Sequence, residues 1–267
     1  MKKLHAPLLA LLGALFLAPF AAANPYGAKA EARLLHGWTG EDGARMAALH
    51  ITLAPGWKTY WRAPGDAGIP PHFDWSASRN IASAKAHWPR PVVFDQGGMR
   101  SIGYKGELVL PMTLTPERPG EPMVIDATVD IGICEDICVP VRIALNETLG
   151  PAARSGVREI KAALADAPLS AGKAGVTGLR CSASASRDGL MVKIEMSVPS
   201  LGGREAATIE TGDPLIWAKE PALRRSGKTL TLRSELVHAV ADSFALDRSA
   251  LRVTLLGRDR AVDIKGC

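Results

Sequence analysis

In the stretch GICEDICVP, from Gly132 to Pro140, two thiols are separated by Glu135, Asp136 and Ile137. Sulfurs at that spacing have three uses. They can close a structural disulfide, the common state of cysteines in an oxidising compartment. They can hold a soft ion such as Cu(I), with help from a methionine or histidine. Or they can cycle between dithiol and disulfide, since a nucleophilic thiol and a partner sulfur are both at hand. Metal binding finds few partners, because there is no second CxxC and His36, His50, His72, His87 and His238 are scattered. Glu135 and Asp136 oppose thiolate formation by like-charge repulsion. A pair whose thiolate is disfavoured is a weak oxidant, better suited to donating electrons.

The flanks say what positions the sulfurs. Upstream, Ile125, Ala127, Val129, Ile131 and Ile133 alternate with Asp126, Thr128, Asp130 and Gly132. Downstream, Val139, Val141, Ile143 and Leu145 alternate with Pro140, Arg142, Ala144 and Asn146. Period-two alternation marks two half-buried strands. Cys134 and Cys138 then face each other across a tight connection that a disulfide can span.

Cys181 and Cys267 complete the set of four, which allows three pairings. Chain-entropy bookkeeping assigns about 2 kcal/mol to closing Cys134 with Cys138, and about 4.5 kcal/mol to the long loop from Cys181 to Cys267. The second bridge is therefore expected to be the structural staple, holding the end of the chain against fraying. The first is a poor staple and stays available for chemistry.

The remaining sequence reads mainly as strands. Met46 to Leu53, Glu107 to Leu114 and Leu190 to Val198 are short β-type runs bounded by turn residues, and Ser186-Arg187-Asp188-Gly189 has the composition of a hairpin turn. Many such runs predict antiparallel sandwiches. Gly156 to Ala167 is different: Val157, Ile160 and Leu164 fall on one helical face, and SAGKAGVTG follows with linker character. The expectation is an all-β chain of two sandwich domains, 24–150 and 176–267, joined by a helical connector and linker over 151–175.

At the N-terminus, Lys2 and Lys3 precede an apolar run to Phe20, followed by Ala21-Ala22-Ala23. This is the pattern of a cleavable signal peptide over 1–23, which predicts export to the periplasm. No later stretch has the ~20 apolar residues of a spanning helix. Loss of Lys2 and Lys3 takes the formal charge from +5 to +3. That is too mild and too evenly spread to argue for a nucleic-acid partner. No phosphate-binding GxxxxGK[ST] or GxGxxG motif occurs around the glycines of PGWKTYWRAPGDAGIPP.

That string, from Pro55 to Pro71, is followed by Trp75, WPRP (88–91), Gly103-Tyr104, Leu110-Pro111 and CEDICVP. The order resembles the N-terminal periplasmic domain of the DsbD and ScsB family of thiol:disulfide interchange proteins, on its ScsB-like C-x-x-x-C branch. The resemblance covers about Ala32 to Leu149. It implies an immunoglobulin-like fold whose Cys134/Cys138 pair takes electrons from a membrane-embedded donor of the same type. Those electrons pass to periplasmic thioredoxin-fold proteins through mixed disulfides, with no metal or organic cofactor; by analogy Cys138 is favoured as the attacking thiol. The larger members continue into a membrane domain and a thioredoxin-like domain, which this sequence does not include, so the donor is expected to be a separate protein. Around the pair, Glu135, Asp136, Tyr60, Trp61, Asp66 and Tyr104 are candidates for tuning the sulfurs or docking a partner. Trp57, Tyr60 and Trp61 would equally suit a core, and Asp66 a turn. A periplasmic copper-binding protein and a non-catalytic adaptor with two structural disulfides are the alternatives.

Overall fold

The computed structural model describes residues 27–96, 98–150, 154–241 and 243–267; the expected signal peptide lies outside them. In chain order the strands of the N-terminal half are β1 (Ala30–Thr39), β2 (Arg45–Leu53), β3 (Lys58–Tyr60), β4 (His72–Asp74), β5 (Ser83–Ala86), β6 (Val92–Gln96), β7 (Met99–Lys105), β8 (Glu107–Thr115), β9 (Met123–Cys134) and β10 (Cys138–Leu149). The helix α1 (Val157–Ala165) follows. Then come β11 (Leu169–Ser170), β12 (Thr177–Ala185), β13 (Leu190–Ser197), β14 (Ala206–Glu210), β15 (Ile216–Ala218), β16 (Ala222–Ser226), β17 (Thr229–His238), β18 (Arg252–Leu256) and β19 (Ala261–Lys265). The chain is all-β apart from α1 and a short 3₁₀ turn at Gly27–Lys29.

Two sheets make the N-terminal half, ordered β1-β2-β8-β5 and β10-β9-β3-β7-β6, with β4 added against β9. All their pairings are antiparallel. The alternating residues decide which face is buried: Ile125, Ala127, Val129, Ile131 and Ile133 of β9 meet Leu49, Ile51, Leu110 and Met112 from the other sheet in one core. The C-terminal half repeats the two-sheet plan, with orders β11-β19-β18-β14 and β12-β13-β17-β15, and β16 alongside β17. Its core takes Val192, Ile194 and Met196 from β13, while Met191, Lys193 and Glu195 stay at the wet face. Ser186 N–H donates to Gly189 O at 2.9 Å, closing the turn before β13.

The helical stripe is used as its spacing suggests. Ile160 is fully buried against Leu35 and Ala48 on the back of the first sheet, with Leu164 packed alongside. Leu169–Ser170 then adds a short parallel strand against Val262 and Asp263.

The halves are fastened by arginines that all come from the N-terminal side. Arg62 donates from Nε and Nη2 to the two carboxylate oxygens of Glu210, each at 3.0 Å, and from Nη2 to Thr254 Oγ1 at 3.2 Å. Arg100 pairs with Glu220 at 2.6 Å. Arg90 reaches both Asp166, at the end of α1, and the Arg258 carbonyl. Ala206, Leu256 and Ala261 join the N-terminal core, so this seam is apolar beneath its ion pairs.

Candidate functional site

The β9–β10 hairpin carries the two sulfurs on its last rung. Cys134 ends β9, Cys138 begins β10, and the register sets them opposite each other with Cα atoms 4.1 Å apart. The disulfide between them is formed, as is the one between Cys181 and Cys267. The two members of the small pair are not equivalent: Cys134 is fully buried, whereas Cys138 is exposed. A thiol arriving from solvent therefore meets Cys138 Sγ first.

Tyr60 is the side chain closest to a chemical role. Its hydroxyl lies 3.0 Å from Cys138 Sγ, and because a disulfide sulfur carries no hydrogen, the phenol donates. The ring itself is buried, at 1% exposure. It can lie flat across β9 only because Gly132 has no side chain: a Cβ there would stand 2.8 Å from the Tyr60 ring and 2.6 Å from Ile69. Gly68 covers the other edge, where a Cβ would come within 2.9 Å of the same ring. Thr59 Oγ1 donates to the Gly132 carbonyl at 2.9 Å, locking β3 to β9 at this level. Burial raises the Tyr60 pKa above its usual value, so the phenol stays a donor through the physiological range.

The charges around Cys138 are mixed. Glu135 and Asp136 are exposed at the turn, and Glu135 packs over Gly56, where an added Cβ would collide with its carboxylate. Opposite them is Lys58, which pairs with Cys134 across β3 and β9. Lys58 lines, with Ala67, Asp95, Met99, Glu135, Asp136 and Cys138, a recess of about 530 Å³. Its pKa is held below the ordinary lysine value, first by burial and then by Lys105, with Asp136 acting in the other direction. Lys58 and Lys105 both stand over the Phe94 ring, at 5.3 and 5.2 Å. The acids between the cysteines thus do not act alone on the sulfurs, because a cation shares their recess. Exposed apolar side chains complete the surroundings: Ile137 at the turn tip is 63% exposed, and Met99, in the recess wall, 58%.

The other expected residues fall elsewhere. Trp61 is wholly buried, with the Arg62 guanidinium 3.9 Å above its ring, and Tyr104 is buried with its hydroxyl on the Pro89 carbonyl at 2.9 Å. Neither presents a surface to a partner; the core, not a docking face, claims Tyr104 on β7 and Trp61 just after β3. Trp57 is likewise core. Asp66 is exposed and lines a separate cleft between the halves. Among the described residues no three His, Cys, Asp or Glu side chains converge to hold a metal ion, and no helix is long and apolar enough to cross a membrane. Lys58, Met99 and Ile137 were not singled out by sequence. Ile137 carried a signal, an apolar residue among acids at a turn, but Lys58 comes beside Cys134 only through the long-range pairing of β3 with β9.

In an exchange step, an incoming thiolate attacks Cys138 Sγ, the Cys134–Cys138 bond breaks, and its electron pair leaves on Cys134 Sγ, which takes a proton. In the reverse sense the reduced Cys138 thiolate attacks a partner disulfide, and Cys134 then displaces the partner from Cys138. The Tyr60 hydroxyl stands where it can hydrogen-bond the Cys138 thiolate and favour it.

Comparison with known proteins bears on the same residues. Residues 31–149 match the family described as "Thiol:disulfide interchange protein DsbD, N-terminal". The N-terminal periplasmic domain of ScsB from Proteus mirabilis is similar in structure, with a TM-score of 0.69 at 20% identity, covering 91% of this chain and 94% of that one. The reduced N-terminal domain of DsbD from Neisseria meningitidis aligns with a TM-score of 0.29 at 16% identity, over 46% of this chain and 88% of that one. Among curated proteins none matches.

Proposed function

We propose, from the match of residues 31–149 to the family of DsbD N-terminal domains, that the protein is a periplasmic thiol–disulfide exchange component whose working pair is Cys134 and Cys138. Electrons enter from a membrane-embedded donor and leave to a thioredoxin-fold protein, each transfer passing through a mixed disulfide on Cys138. The observation that carries this reading is the inequality of the two sulfurs: one is exposed and hydrogen-bonded by Tyr60, and its partner is buried behind it. A bridge meant only to hold the hairpin gains nothing from that arrangement, because the β9–β10 ladder already holds it. Cys181–Cys267 is the structural bridge, in a second domain over 176–267, and residues 1–23 direct export.

The test is a redox titration of the purified chain, read by thiol alkylation and mass mapping. Cys134 and Cys138 should open together at a potential well above that of Cys181–Cys267. Equal resistance of the two bridges to reduction would overturn the proposal in favour of a structural role. Tight, stoichiometric Cu(I) binding lost on Cys134→Ala and Cys138→Ala would assign the sulfurs to metal instead.

A further inference from the structure

The arginine-tied seam between the halves leaves a cleft of about 460 Å³, within the range of roughly 300–1,000 Å³ typical of ligand sites. It adjoins the redox recess. Asp66 lines the cleft and Ala67 the recess; Arg100 lines the cleft and Met99 the recess. One surface therefore runs from Cys138 across the Pro64–Ala67 turn to the seam.

Three features of the cleft point to an occupant. Its walls include β14 and β15, each the terminal strand in its sheet order, and a terminal strand offers main-chain donors and acceptors on its open side. The Thr208 hydroxyl, on β14 and 7% exposed, is buried in this wall with no hydrogen-bond partner; a buried polar group of that kind costs about 1–3 kcal/mol until something satisfies it. Trp217, which lines the cleft, is 51% exposed, and Leu215, two residues before it, 46%; an exposed aromatic of this kind is a typical anchor in an interface.

Charge narrows the chemistry. Arg100 and Glu220 cancel within the wall, while the exposed carboxylates of Asp66 and Asp213 have no ion-pair partner among the described residues. The floor is apolar and the rim acidic.

We infer that this cleft is a docking site for an extended segment of the redox partner, apolar in the middle and basic at its flank, which adds along β14 and brings the partner's thiol to Cys138. The segment's main chain pairs along the open side of β14, where a small shift would bring the Thr208 hydroxyl a partner, its apolar side chains pack on Trp217, and its basic residue faces Asp66 and Asp213. This deepens the exchange reading and rests on it.

The test uses two synthetic peptides, each with one cysteine and the same apolar stretch, flanked by lysines in one and glutamates in the other. The initial rate of mixed-disulfide formation with the full oxidised chain is read by mass spectrometry. The step is balanced: the peptide thiolate bonds to Cys138 Sγ and Cys134 leaves as a thiol. The lysine peptide should react about 10-fold faster, the effect of about 1.4 kcal/mol of docking energy, and the advantage should fall toward unity in Trp217→Ala and in Ala218→Phe. Dithiothreitol should open the pair at the wild-type rate in both variants. Because Glu135 and Asp136 also attract lysine, an advantage that survives both substitutions overturns the cleft as the docking site, as does equal reactivity of the peptides with the wild-type chain. Failure of both peptides and of dithiothreitol to open Cys134–Cys138 would instead overturn the exchange reading itself.

Discussion

The two disulfides put the same bond into opposite surroundings. Cys134 and Cys138 cap a hairpin whose strands are paired over the whole of β9 and β10, so their bond adds little to a loop the ladder has already closed. Cys181 and Cys267 join the first long strand of the C-terminal half to the last residue of the chain, 86 positions apart. The small bridge has a tyrosine hydroxyl, a lysine, three carboxylates and exposed apolar side chains around it. The large bridge instead leaves Cys181 packed against the apolar core of its own half. On the proposed reading, what separates a bond kept for stability from one placed for reactivity is the company of the sulfur and the length of chain it closes.

The sharpest way to break this contrast is to remove each bond in turn. Cys138→Ala should abolish exchange with a thioredoxin-fold protein and cost no more than about 2 kcal/mol in urea unfolding, whereas Cys181→Ala should leave exchange intact and cost about 4.5 kcal/mol. A reversal of that pattern would end the distinction. Gly132→Ala comes next: the new methyl group pushes on the Tyr60 ring and Ile69, so stability should fall by about 1–3 kcal/mol, with slower exchange than in the parent. Tyr60→Phe is gentler. It removes one hydrogen bond worth about 1 kcal/mol and should raise the pH at which the reduced Cys138 alkylates at half its maximal rate. An unchanged alkylation profile would show that the phenol does not bear on the thiolate.

The smallest effect lies at high pH. Burial holds the phenols of Tyr60 and, much more strongly, Tyr104 above the ordinary tyrosine value. A folded pKa above the unfolded one means that the stabilisation is complete below about pH 10, the unfolded tyrosine value, and is lost as pH rises toward the folded pKa. Urea midpoints measured between neutral pH and about pH 11 should therefore fall, and fall less steeply in Tyr104→Phe, relative to its own neutral value.

Much of the hairpin is legible in the amino-acid sequence. The alternation of Ile125 to Ile133 and of Val141 to Leu145 marks two strands with a buried face, and all eight of those residues are core. The helical stripe on Ile160 and Leu164 is equally plain, because short-range periodicity is a property of the segment alone. What surrounds Cys138 is not legible in the same way. Tyr60 stands 78 positions from Cys138, and Lys58 reaches Cys134 through a β3–β9 pairing that no local pattern announces. The proline- and tryptophan-rich string does mark the right neighbourhood, yet composition does not say which rings face inward. Trp61 and Tyr104 go to the core, and only the phenol of Tyr60 emerges at the sulfur.

The position of the redox pair on the last rung of a full ladder separates two quantities that are usually entangled. By linkage, the oxidised and reduced proteins differ in stability by the same free energy by which the pair's reduction potential differs between folded and unfolded chain. With little of the folded architecture depending on the bond, the unfolded chain's loop constraint dominates that difference. A substitution in the far half that lowers overall stability should then leave the folded potential where it was, so that under the proposed function the driving force for exchange is free to evolve independently of the rest of the molecule.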